Sequence, residues 1–229
     1  PLNEKTVYLI DKDFKYMDKK PEDWLDKELV NISADDVSQV VCKDFQENVL
    51  YTLKRPEKGK SPEFMDIPEG KKIISSKLND VFGALASLNI EDVASPDLAV
   101  EDTGLDKPVC FEYTLFDGKT YTACPGSVLK NDDNKYYFKV STEFKEPEKE
   151  PEQIKTGEDK EESSPAKEQE ADKKEDAKDP AQLAAEAEEL NKKISSWTYV
   201  IPKWKADRLI KDSQDFFEKP EQETGQKDS

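Results

Sequence analysis

Between Lys145 and Asp179 nearly every residue is polar. Lys, Glu, Asp, Pro, Ser and Ala dominate, no aromatic occurs, and Ile154 is the only large aliphatic. Such a stretch cannot bury enough apolar surface to offset the entropy of ordering it. It divides the chain, so the fold must be built from the patterned pieces on either side. Both signs of charge are mixed in it, which favours a solvated linker over an acidic interaction tail. The expected organisation is a body over 1–144, a disordered charged linker over 145–179, a helical segment over 180–219 that packs back on the body, and a disordered tail over 220–229. The body is expected to be N-terminally truncated. The chain opens on Pro1 and enters the β-rich run Thr6–Ile10 almost at once. Any membrane anchor is then expected upstream of Pro1.

Lys and Arg number 35 against 52 Asp and Glu, a net charge of −17. That balance argues against a nucleic-acid partner, which needs clustered cations to neutralise phosphates. His is absent, which removes the commonest general base and metal ligand. No run reaches the roughly 18 apolar residues of a membrane helix.

In the body, Pro21 suits a first helical position, with Trp24, Leu25 and Leu29 following at helical spacing. Strands are predicted over Val37–Cys42, Asn48–Arg55 and Phe64–Pro68, forming a meander. In the first, Val37, Gln39 and Val41 share one face. In the second, Val49, Tyr51 and Leu53 do. Leu78, Val81, Phe82, Leu85 and Leu88 make one apolar stripe and predict a helix over Ser76–Asn89, capped by Ser75 or Ser76, with Gly83 inside it. The run Val109–Cys124 carries the strongest hairpin signal. Asp117 and Gly118 suit a two-residue type I′ turn, which pairs Phe116 with Lys119, Thr114 with Tyr121 and Phe111 with Cys124. A further strand, Tyr136–Ser141, follows a polar turn at Asn131–Asn134. Beyond the linker, Asp179 and Pro180 read as N-cap and first residue of a helix with Leu183, Ala187, Leu190 and Ile194 in a stripe. Trp197, Tyr199 and Ile201 suggest an extended segment. Pro202 opens a final helix carrying Leu209, Ile210, Phe216 and Phe217.

Candidate chemistry is sparse. In the two-residue hairpin register Cys110 and Cys124 point to different sides, so a bridge between them would need a bulge. The favoured reading of Cys42, Cys110 and Cys124 is small buried apolar residues, and their redox state stays open. Three Cys and no His cannot supply a four-ligand zinc site of that type. Asn131–Asn134 lacks the spaced ligands and Gly of a calcium loop. Trp197, Tyr199 and Trp204 form a candidate stacking surface for a sugar or peptide, weighed against the commoner role of anchoring a returning segment to the core. No catalytic residue, cofactor or metal is assigned.

The order of features is more telling than any one motif. Asn48–Arg55, Phe64–Pro68, the helix ending Leu85–Val93, Thr103-Gly104-Leu105-Asp106-Lys107-Pro108, Phe116–Thr120 and Tyr136–Val140 follow one another, and Ala187–Ala206 closes the set. This succession resembles the bacterial domain-of-unknown-function family numbered four-three-four-zero. Phe64 stands where many members carry Trp, and the linker is long for the family. The resemblance implies an extracytoplasmic soluble part, a membrane helix outside this chain, and genes beside ABC transporters of the gliding-motility type. It implies no reaction, so no site residue is carried over. Gly104, Pro108 and Gly118 match its turns, with structural roles. The fold expected is α+β, antiparallel meanders and hairpins each backed by an amphipathic helix. The function expected is a non-enzymatic extracytoplasmic module accessory to a membrane transport or export assembly. The rivals are a carbohydrate or peptide binder using the aromatics near Trp197, and a carboxylate-dependent hydrolase.

Overall fold

A computed structural model describes residues 26–146 and 179–218. The expected strand at Thr6–Ile10, the helix start at Pro21 and Trp24, most of the linker and the tail lie outside the described residues. Among the described residues there are ten strands: β1 (Glu28–Val30), β2 (Val37–Lys43), β3 (Val49–Lys54), β4 (Glu63–Phe64), β5 (Leu88–Asn89), β6 (Asp92–Val93), β7 (Cys110–Leu115), β8 (Lys119–Leu129), β9 (Asp132–Phe144) and β10 (Tyr199–Pro202). Four α-helices accompany them: α1 (Ser75–Phe82), α2 (Val100–Thr103), α3 (Pro180–Ile194) and α4 (Lys203–Leu209). The α+β class is as the sequence predicts. The two expected meanders, however, form one sheet. β2 pairs with β7, giving the antiparallel order β4-β3-β2-β7-β8-β9-β10-β6, while β1 and β5 make a separate pair.

One face of the large sheet is covered. Phe111, Tyr113 and Leu115 of β7, and Phe138, Val140 and Thr142 of β9, are buried, alternating with more exposed neighbours as the pleat requires. α1, α4, the 3-10 turn Ser213–Phe216 and the C-terminal end of α3 close over this face. Leu78, Phe82, Leu85, Ala206, Leu209, Phe216 and Ile194 belong to the same core cluster as the strand residues. The Tyr113 hydroxyl donates to the Val81 carbonyl at 3.1 Å, tying sheet to helix. In β2 a bulge between Val37 and Gln39 changes the expected alternation, so Val37, Val40 and Cys42 join the core. In β3, Tyr51 and Leu53 are buried but Val49 is exposed.

Several expected boundaries move. The helix predicted over Ser76–Asn89 ends at Phe82, where the Gly83 N–H bonds to Asn79. Its start at Ile74 has no side-chain cap, so neither Ser75 nor Ser76 serves that role. The stripe nevertheless stays buried through Leu85 and Leu88. Backbone groups that a longer helix would use internally are taken up by the loop after β1. Leu85 accepts from the Ile32 N–H, and the Ser87 N–H donates to Asn31 Oδ1. Leu29 sits in strand β1 rather than a helix. The turn expected at Asn131–Asn134 is a tighter one, with Leu129 facing Asp132. The single final helix is two pieces, α4 and the turn Ser213–Phe216.

The hairpin register also differs. Thr114 faces Thr120 and Phe111 faces Ala123, one residue away from the type I′ expectation. The loop is the three residues Phe116–Gly118. The Gly118 N–H donates to Leu115 O, and Gly118 alone takes a positive φ of 91°. A one-residue shift turns every later side chain over. It therefore brings Cys110 opposite Cys124, and the two form a disulfide with their Cα atoms 4.3 Å apart. The reading of all three Cys as buried thiols is corrected for this pair. Cys42 remains a buried free thiol.

Candidate functional site

Helix α2 ends on Gly104, whose φ of 68° is the left-handed conformation of a helix stop. Glycine is needed there twice over, because a Cβ would lie 2.9 Å from the Ser127 nitrogen. On the facing strand a Cβ at Gly126 would lie 2.3 Å from the Thr103 carbonyl oxygen. The end of α2 thus crosses β8 glycine to glycine. At this crossing β8 is irregular. Pro125 faces Phe138 and Val128 faces Tyr136, so two residues of β8 oppose one of β9. The chain then runs through Lys107–Val109 into β7, beside the disulfide.

These elements and the segment Ile210–Asp212 after α4 enclose a cleft of about 330 Å³. Its floor is apolar, with Val109, Phe111, Pro125 and Ile210, and its charged lining residues are Lys107, Lys211 and Asp212. Asp212 forms a reciprocal cap with Asp215, each carboxylate accepting from the other's backbone N–H. The Lys107 ammonium lies 6.0 Å from the ring centre of Phe45, and Lys211 Nζ donates to the carbonyl of Asp207. The Lys211 carbonyl in turn accepts from the Tyr51 hydroxyl at 3.0 Å, which fastens this segment to the core.

On the sheet face opposite the core, Glu112 sits between Lys43 at 2.9 Å and Lys145 at 3.2 Å. Burial acts to raise its carboxyl, but the hydrogen bonds from the two lysines outweigh it and hold the group below the ordinary carboxylate range. Burial pushes the Cys42 thiol up to about 12, so it stays protonated and unreactive at neutral pH. Among the described residues no group of three or more Cys, Asp or Glu side chains could hold a metal ion.

The three aromatics singled out from sequence do not share a surface. Tyr199 is buried, its hydroxyl donating to the Ile194 carbonyl at 3.0 Å. Trp197 and Trp204 are half-exposed, one before β10 and one after it. Trp204 lines a shallow hollow whose carboxylates are both paired, Glu91 with Lys135 and Asp207 with Lys203. The Lys205 ammonium lies 4.8 Å from its ring, and Lys205 is buried against the Ala86 carbonyl. The residues that sequence reading missed are Lys107, Val109, Ile210 and Lys211. Their one sequence signal is the Gly104–Pro108 turn, which marks where the cleft wall begins.

A one-sided antiparallel sheet under a helical layer, with an apolar cleft at one end, defines an α+β protein without a recognisable catalytic constellation among the described residues. Residues 1–108 match the model of the family described as Domain of unknown function (DUF4340). The resemblance read from Asn48–Arg55 through Pro108 is thereby established. The motifs at Phe116–Thr120, Tyr136–Val140 and Ala187–Ala206 lie outside the matched stretch. No curated protein and no solved structure matches the chain.

Proposed function

We propose that the chain is a non-enzymatic extracytoplasmic module, accessory to a membrane transport or export assembly. The observation that carries this reading is the Cys110–Cys124 disulfide. Structural disulfides persist in oxidising compartments and are rare in the cytosol. The net charge of −17 argues against a nucleic-acid partner and suits a soluble part working among membrane proteins. Attachment to the membrane is assigned to a segment outside this chain, as the family resemblance implies. The acidic groups around its hollows are engaged in ion pairs or caps, which favours a binding role over carboxylate catalysis.

The test is thiol labelling of the protein taken from its native cells in the presence of an alkylating agent. After denaturation, mass spectrometry should find Cys42 alkylated while Cys110 and Cys124 remain joined. Alkylation of all three would overturn the compartment assignment. Cross-linking in the same cells should recover integral membrane proteins, and recovery of cytosolic proteins alone would overturn the assembly role.

A further inference from the structure

We propose that residues 8–25 are a second copy of the unit that closes this sheet, and that they close the sheet of a neighbouring domain of the same build. The closing unit is β10, α4 and the 3-10 turn Ser213–Phe216. Residues 8–25 lie outside the described residues, so their sequence is set against the burial of that unit. In β10 the buried residues are Tyr199, Val200 and Ile201, and Tyr8, Leu9 and Ile10 match them in order. The first copy is then one residue shorter, with nothing for Lys205. Beyond this gap the buried Ala206, Leu209, Phe216 and Phe217 fall on Phe14, Met17, Trp24 and Leu25. Every buried position with a counterpart is apolar in both copies, in a chain only 34% apolar.

The match follows burial rather than polarity. Trp204 and Ile210 are apolar but exposed, and aspartate stands for each, as Asp13 and Asp18. Polar signals recur too: Lys203, Lys211 and Asp215 return as Lys12, Lys19 and Asp23. Asp215 accepts from the Asp212 N–H at the start of the 3-10 turn. Pro21 falls on Ser213, the first residue of that turn, where the preset φ of proline fits.

Chains below about 40 residues seldom fold alone without disulfides or metals, and residues 8–25 hold no Cys or His. Their apolar set therefore needs a sheet. The matching place in this domain is taken, because β10 pairs with β9 from Lys135 to Phe138, and Phe216 and Phe217 pack on Phe64. The partner is thus a second sheet with an open edge of the β9 kind. It stands close by. Asp26 and Lys27 alone separate Leu25 from β1, a span of at most about 11 Å, and the Lys27 carbonyl accepts from the Ile90 N–H. The joint lies at the β1–β5 corner. This pairing names a partner that the accessory role leaves open, and it rests on residues 8–25 rather than on the disulfide.

The test exchanges the copies within the full chain. Residues 199–217 are replaced by the sequence of 8–25, once as it stands and once with an alanine added after Asp13 to restore the length. At least one version should unfold cooperatively in urea and place its tyrosine opposite Phe138 in proton contacts, as Tyr199 is. A control with Ile10→Asp and Met17→Asp in the inserted copy should do neither. Two inserts that behave like this control would overturn the proposal. The partner is read separately, with a photo-reactive residue in place of Leu9 in the native polypeptide in its cells. The cross-link should map to a strand of another domain with the alternation of Tyr136–Val140. No cross-link, or one to β9 of the same domain, to lipid, or to a protein without such a strand, would also overturn it.

Discussion

Helices α1 and α3 lie in the same covering layer, yet one carries the side-chain cap its sequence suggests and the other does not. α3 starts at Pro180 because Asp179 accepts from the Ala181 N–H and proline supplies the preset φ of a first turn. α1 has the stronger apolar stripe but no side-chain cap at Ile74 and a glycine at its end. Its stripe runs past the helix into a turn and strand β5, and every member is still buried. An apolar period therefore reports which side chains meet the core, whereas caps and stops report where the helix is. The two signals agree in α3 and separate in α1.

Four tests sharpen or break that contrast. The largest effect should come from Leu85→Ala, which lies in the buried stripe outside the helix. It should cost roughly 2–5 kcal/mol in urea unfolding, and a change below about 1 kcal/mol would show that burial there does not follow the stripe. Next, replacing Cys110 and Cys124 by serine opens a loop spanning 14 positions. The loss should approach about 3 kcal/mol on chain-entropy grounds, with the reduced wild type matching the double variant. Third, the caps themselves can be compared. Asp179→Ala should cost about 1 kcal/mol, while Ser75→Ala should change stability by less than about 0.5 kcal/mol. Equal losses would show that α1 does rely on a serine cap. The smallest effect concerns Glu112. Its carboxyl is held below its unfolded value, so the unfolded chain takes up the proton first as pH falls. The stabilisation is full above the ordinary carboxylate range and is lost as pH drops through and below it. Glu112→Gln should flatten this acid limb of the stability profile, and an unaltered limb would count against the Lys43–Glu112–Lys145 cluster.

Strand positions were legible in the sequence wherever alternation was strong, as in β7 and β9. Register was not. Asp117 and Gly118 were read as both central residues of a type I′ turn, but only Gly118 takes positive φ, and the loop holds three residues. That single residue decided whether Cys110 met Cys124. The bulge in β2 misled in the same way, because an extra residue resets the faces without leaving a mark in composition. The cleft was illegible for a different reason. Lys107, Gly126 and Ile210 come from distant parts of the chain, and only the tertiary crossing of α2 over β8 brings their surroundings together. For the aromatics, the extended segment was legible, but the sequence put Tyr199 with Trp197 and Trp204, whereas Tyr199 is buried and the two tryptophans stay half-exposed.

The placing of β10 between β9 and β6 has a consequence for synthesis in the cell. β6 emerges from the ribosome more than a hundred residues before the strand that pairs with it, since Val93 faces Tyr199. At about 5–20 residues per second it waits on the order of 5–20 s as an unfinished edge. A nascent chain stalled or clipped after β9 would display the unpaired side of that long strand, with Phe138 and Val140 uncovered. Only a chain translated through Pro202 can complete the β9-β10-β6 side of its sheet.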